Sequence, residues 1–110
     1  RGFIVRYRPS GGGQSEWMMS PLKDISLSGT SFLSERPFPS GTKLQLRLGL
    51  PTSQRPVVVE GVVVRQRRSG WEGLVELGVT FCDLEPSTRH QIQQALVHAT
   101  EKASEGRPHG

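Results

Sequence analysis

Lys43-Leu44-Gln45-Leu46-Arg47-Leu48-Gly49-Leu50 alternates apolar and polar residues without a break. Successive side chains of an extended strand point to opposite faces, so the four leucines share one face and Lys43, Gln45, Arg47 and Gly49 take a wet one. Downstream, Val75, Leu77, Val79 and Phe81 alternate with Glu76, Gly78, Thr80 and Cys82, a second strand of the same kind. Between them, after a loop at Pro51 to Pro56, Val57 to Val64 is a β-branched run with apolar residues on both faces. Such a run suits a strand whose outer face is covered by another element or a partner. Gly61 inside it predicts a bulge or a bend at a barrel corner. Arg65 to Gly73 reads as a polar connection with Ser69-Gly70 at a hairpin tip.

Strand signals also dominate upstream. Phe3, Val5 and Tyr7 alternate with Ile4, Arg6 and Arg8, and the glycine-rich stretch from Pro9 to Gln14 stops that strand in a loop. Trp17 to Ile25 is mixed and broken by Pro21, as an edge-like strand would be. Gly29 to Ser34 gives a short strand with Phe32 as its inward anchor, followed by a turn through Pro37, Pro39, Ser40 and Gly41. After Asp83 the period changes. Pro86 suits a first helical turn, and Ile92, Ala95, Leu96, Ala99 and Ala103 fall at helical spacing. The expectation is an all-β domain over 1–104, six antiparallel strands closed into a barrel with a C-terminal α-helix over about 86–103, and a flexible tail at 105–110.

Composition bounds the function. A length of 110 residues fits one domain, with 13 Gly and 8 Pro marking a turn-rich chain. A start at Arg1 rather than Met reads as a piece of a longer protein. No run of about 18 apolar residues offers a membrane span, and no secretory leader opens the chain. The single cysteine, Cys82, requires no oxidising compartment and builds no zinc site by itself, so a cytoplasmic protein without a metal is expected. A net charge of +4 points mildly to an anionic partner and equally to a solvated basic surface. Enzymatic chemistry is not expected. Neither Cys82 nor any serine has a base close in sequence, and no Walker-type loop, CxxC or HExxH occurs.

One segment carries ligand chemistry: Asp24-Ile25-Ser26-Leu27-Ser28-Gly29. On an extended chain Asp24 and Ser26 share a side, presenting a carboxylate and a hydroxyl suited to the N–H edge of a purine, guanine above all. Gly29 permits a tight turn and a close backbone approach. The bland alternative is turn chemistry, in which both residues bond local backbone.

Asp24, Ser26 and Gly29 match the D/N-x-S-x-x-G motif, and the chain resembles the PilZ family. The strand order, the Pro39-Ser40-Gly41-Thr42 turn, the Gly78-Val79-Thr80-Phe81 strand and the terminal helix extend the resemblance over nearly the whole sequence. The resemblance implies a split-barrel receptor module for cyclic di-GMP, with that ligand as its only small-molecule requirement and no cofactor. It also implies an R-x-x-x-R pair ahead of the first strand that clamps the ligand. Arginine suits the task because it forks onto guanine O6 and N7, pairs with phosphate or stacks on a base. No R-x-x-x-R precedes Asp24 here. Arg1 stands where the second arginine of the pair would be, and Arg6 and Arg8 are the alternatives, although the strand register turns them outward. The ligand-binding candidates are therefore Arg1, Arg6, Arg8, Asp24, Ser26 and Gly29.

Binding would order the basic N-terminal segment and change contacts with a neighbouring domain or partner protein. A first rival is a PilZ-like domain that no longer binds nucleotide and acts as a protein-interaction adaptor. A second is a small nucleic-acid-binding barrel, distinguished by steep salt dependence. It is disfavoured because the Arg65, Arg67 and Arg68 cluster reads most simply as a solvated hairpin. Trp71 beside that cluster, if exposed, would be a stacking platform.

Overall fold

The computed structural model describes residues 3–11 and 16–105. Six strands, β1 (Ile4–Pro9), β2 (Met18–Ile25), β3 (Gly29–Ser34), β4 (Lys43–Gly49), β5 (Val57–Arg68) and β6 (Val75–Cys82), precede one helix, α1 (Pro86–Glu105). All pairings are antiparallel and close the barrel in the order β1-β2-β3-β6-β5-β4.

The alternation of each strand becomes the inside and outside of the barrel. Val5 and Tyr7 from β1, Phe32 from β3, Leu44, Leu46 and Leu48 from β4, Val63 from β5 and Leu77 from β6 are fully buried. The Tyr7 and Phe32 rings pack in a tilted pair, 4.7 Å between centres. The Tyr7 hydroxyl donates to Ser34 Oγ at 3.0 Å, and Ser34 Oγ donates to the Arg36 carbonyl at 2.7 Å. Both hydroxyls are thus satisfied in a region where an orphan polar group would cost stability. Ile92 and Ala95 of α1 are buried, Leu96 half-buried.

Several details differ from the sequence reading. First, β2 is no edge: it pairs with both β1 and β3. Leu22 N–H donates to the carbonyl of Phe3, just ahead of β1, which turns the donorless nitrogen of Pro21 towards β3. The β2–β3 ladder begins only at Leu22, so no bond is lost. Second, the β5 irregularity falls between Val63 and Arg65, not at Gly61, and a matching one lies between Leu22 and Asp24 on β2. Third, Arg65 to Arg68 continue β5, pairing with Gly78 to Val75, so the polar stretch is a hairpin arm rather than a loop. No element of this chain fully covers the outer face of β5, since Val58 and Val64 are 64% and 50% exposed. At the C-terminus α1 runs to Glu105, past the expected 103, and residues 106–110 lie outside the described part.

Candidate functional site

Asp24, near the end of β2, pairs with Ser31 of β3, Ser31 with Gly78 of β6, and Gly78 with Arg65 of β5. One cross-strand row on the outer face therefore carries a carboxylate at one end and a guanidinium at the other. The two bulges flank this row. Each adds one residue, Lys23 or Val64, and so changes which side chains reach the face. A hollow of about 200 Å³ opens over the row, lined among others by Asp24, Ser26, Ser28, Gly29, Ser31 and Arg65.

Asp24 is exposed, and among the described residues its carboxylate makes no hydrogen bond or ion pair. Its backbone is fixed, since Thr30 Oγ1 donates to Asp24 O at 2.6 Å. Ser26 has a different environment. Its N–H donates to Gly29 O at 2.9 Å, and its Oγ accepts from Ser28 N–H at 3.2 Å and lies 3.1 Å from Ser28 Oγ. Ser26 thus performs the turn chemistry weighed against it, holding the three-residue connection while leaving its hydroxyl on the rim of the hollow.

Gly29 is explained by the fold. A Cβ there would run into the carbonyl oxygen of Val79. The space beside Gly29 is filled by the β6 backbone, not kept open for a ligand. Gly78 does keep a seat open: an added Cβ would stand 3.1 Å from Arg65 Cζ and Nη2, so the guanidinium lies across the bare α-carbon. The Arg65 guanidinium makes no ion pair or hydrogen bond among the described residues. Two inter-strand spacings, about 10 Å, separate the β2 backbone from that guanidinium. Arg65 is the residue that sequence reasoning placed on a solvated hairpin. Its signal was present in the pairing of Arg65 with Gly78, but only the register reveals it.

Arg6 and Arg8 do not join this site. Arg6 pairs with Met19, five residues along β2 from Asp24 or about 16 Å at the rise of an extended strand. Arg8 is engaged elsewhere, donating to Gln45 Oε1 at 2.9 Å and lying 4.2 Å from the Trp17 ring centre, where Arg47 also stacks at 4.5 Å. Arg1 lies outside the described residues. The N-terminal end of β1 meets Leu22, two residues from Asp24, through the Phe3 carbonyl.

Beside the row, Glu76 is buried and ion-paired to Lys23 at 3.2 Å and Arg67 at 3.3 Å. The hydrogen bond from Arg67, then that from Lys23, holds its carboxyl below the ordinary 4.5, against the opposing effect of burial. A carboxylate with a lowered folded-state pKa stabilises the fold above its unfolded value and loses that contribution as pH falls through the lowered one. Stability measured by urea midpoints should therefore fall as pH drops below about 4.5, and Glu76→Gln should flatten that dependence. An unchanged acid limb in the variant would contradict this role.

The PilZ domain family model matches residues 3–98. The chain belongs to the PilZ family. A search of curated proteins gives no significant match. Among solved structures, this PilZ domain is similar to the Bacillus subtilis inhibitor of motility MotI/DgrA, with a TM-score of 0.73 at 19% identity over 98% of this chain and 50% of that one. Apo MrkH of K. pneumonia gives a TM-score of 0.75 at 15% identity, over 97% and 50%. The PilZ domain of YcgR from Escherichia coli, solved with c-di-GMP, gives 0.61 at 17% identity over 94% and 88%. The chain spans about half the length of the first two. At these identities the likeness is one of fold. Among the described residues no helix is long and apolar enough to cross a membrane, and no cluster of three or more His, Cys, Asp or Glu is placed to hold a metal.

Proposed function

We propose that this PilZ domain is a cyclic di-GMP receptor module working in the cytoplasm, coupling the ligand to a neighbouring domain or partner protein rather than catalysing a reaction. The observation that carries the reading is the unpartnered Asp24 carboxylate facing the Arg65 guanidinium across a polar hollow. A carboxylate in this position accepts the two adjacent N–H groups of a guanine edge. A guanidinium supported on Gly78 forks onto O6 and N7, stacks on the ring or pairs with phosphate. Family membership and the c-di-GMP complex of the YcgR PilZ domain support the same ligand.

Arg65 thus supplies one guanidinium to a site whose R-x-x-x-R pair is not found ahead of Asp24. The test is calorimetric titration of cyclic di-GMP into the chain and into a version extended upstream of Arg1. Micromolar or tighter binding is expected. Arg65→Ala should weaken it roughly tenfold to a hundredfold, the loss of a charge-assisted hydrogen bond of about 1.5–3 kcal/mol. The second reading is a protein-interaction adaptor without nucleotide binding, suggested by the absence of an R-x-x-x-R pair between Arg1 and Asp24. It takes over if the folded, extended chain binds no ligand.

A further inference from the structure

A second hollow, of about 530 Å³, continues the same outer face towards the β5–β6 hairpin tip. Ser31 gives way to Leu33, Gly78 to Glu76 and Arg65 to Arg67, a two-residue step of about 6.6 Å along each strand. The bulged residue Lys23 takes the place of Asp24. At the far wall stands Trp71, 69% exposed, beside Arg68. Its position is fixed: Ser69 Oγ accepts the Trp71 N–H at 3.0 Å and donates to Leu74 O at 2.7 Å, while Leu74 N–H donates to Trp71 O at 3.2 Å. Those bonds hold the Trp71 backbone, and an exposed indole beside cations is a ready stacking surface.

Lys23, Arg67 and Arg68 line the hollow against a single carboxylate, Glu76, so the charge there is positive. Both Glu76 oxygens are already taken, Oε1 by Lys23 and Arg67 and Oε2 by Arg67. Buried and doubly ion-paired, Glu76 is not a free carboxylate of the kind Asp24 presents to the N–H edge of a base. The hollow offers a flat aromatic wall, an apolar patch at Leu33 and cations, which together suit a nucleobase with its phosphate and do not distinguish one base from another.

We infer that this hollow seats the second base of a cyclic dinucleotide whose first guanine is read at Asp24, with Trp71 stacking on it and Arg68 facing its phosphate. The inference rests on the proposed receptor function and extends it. Guanine would be demanded at one end of the ligand only, so a mixed cyclic guanosine–adenosine dinucleotide should bind nearly as well as cyclic di-GMP.

The experiment uses the chain carrying Trp17→Phe, which leaves Trp71 as its only indole and alters a ring on another part of the barrel. Cyclic di-GMP and the mixed dinucleotide are titrated separately, following indole fluorescence and heat together. Both ligands should quench Trp71 with the midpoint seen calorimetrically, at one ligand per chain. Trp71→Ala should weaken binding roughly 5- to 100-fold, the range for loss of one base–aromatic stack. Binding that depends on Asp24 but leaves Trp71 unquenched, and is untouched by Trp71→Ala, would overturn the inference and keep the receptor function. So would strong rejection of the mixed ligand. A quench that follows a second molar equivalent would also overturn it, placing a separate molecule in the hollow. Absence of binding by either ligand would remove the receptor function and this inference together.

Discussion

Gly29→Ala should lower the stability of the fold by about 3 kcal/mol, at the upper end of the range for overpacking a core. The obstruction is backbone, not a side chain that can swing away, because the new Cβ meets the carbonyl oxygen of Val79. Gly29 pairs with Thr80, and Phe81 N–H donates to Ser28 O at 2.9 Å just beside it. Relief therefore requires β3 to move off β6 where the barrel closes on that side. Gly70→Ala is the control, since nothing lies within 4 Å of the position its Cβ would take. That substitution should stay within about 0.5 kcal/mol of the parent. Urea denaturation of the three proteins checks both expectations through their midpoints. If the Gly29 variant is as stable as the Gly70 variant, the close approach of β3 and β6 does not govern this position.

Asp24→Ala should reduce cyclic di-GMP affinity more than a hundredfold while leaving stability nearly unchanged. The two expectations separate because the exposed carboxylate has no protein partner among the described residues and so supports no packing. Its removal costs the ligand two hydrogen bonds to a charged acceptor, about 3 kcal/mol or more in total. Asp24→Asn should fall between the two, keeping one acceptor oxygen and losing the charge. Calorimetry on the three proteins, with urea midpoints alongside, reads both quantities. Undiminished affinity in the alanine variant would mean that Asp24 does not read the guanine edge.

Serine at position 26 should be viewed differently from its neighbour. The motif pairs Asp24 with Ser26, yet the structure gives the hydroxyl to the turn and leaves the carboxylate to solvent. The turn chemistry therefore falls to Ser26, while the Asp24 carboxylate is left without a partner among the described residues. A short string of residues specifies this division poorly, because it depends on which backbone groups the turn leaves within reach.

The barrel itself was legible. Leu44 to Leu50 and Val75 to Phe81 alternate strictly, and a period of two admits only an extended strand with one buried face. The helix was legible for the same reason at a different period. Where polar and apolar residues fail to alternate, the pattern ran out. Arg65 to Arg68 looked like a loop because an outward strand position in water tolerates any polar residue, and only pairing with Val75 to Gly78 identifies it as strand. Gly61 drew attention as a glycine in a strand, while the bulge sits three residues on at Val64, where register has to adjust between β5 and β6.

By itself the sequence determined the strands, their inward faces, the terminal helix and the chemical types at the Asp24 turn, all of which follow from local periodicity and backbone preference. The tertiary structure alone decided which distant residues meet. It brought Arg65 and Asp24 to the lining of one hollow, set Arg6 and Arg8 elsewhere, packed Gly29 against β6 and placed Trp71 in the lining of a second hollow. Register and bulges are collective properties of paired strands. A shift of one residue turns every side chain to the other face, and no single strand carries the information that fixes it.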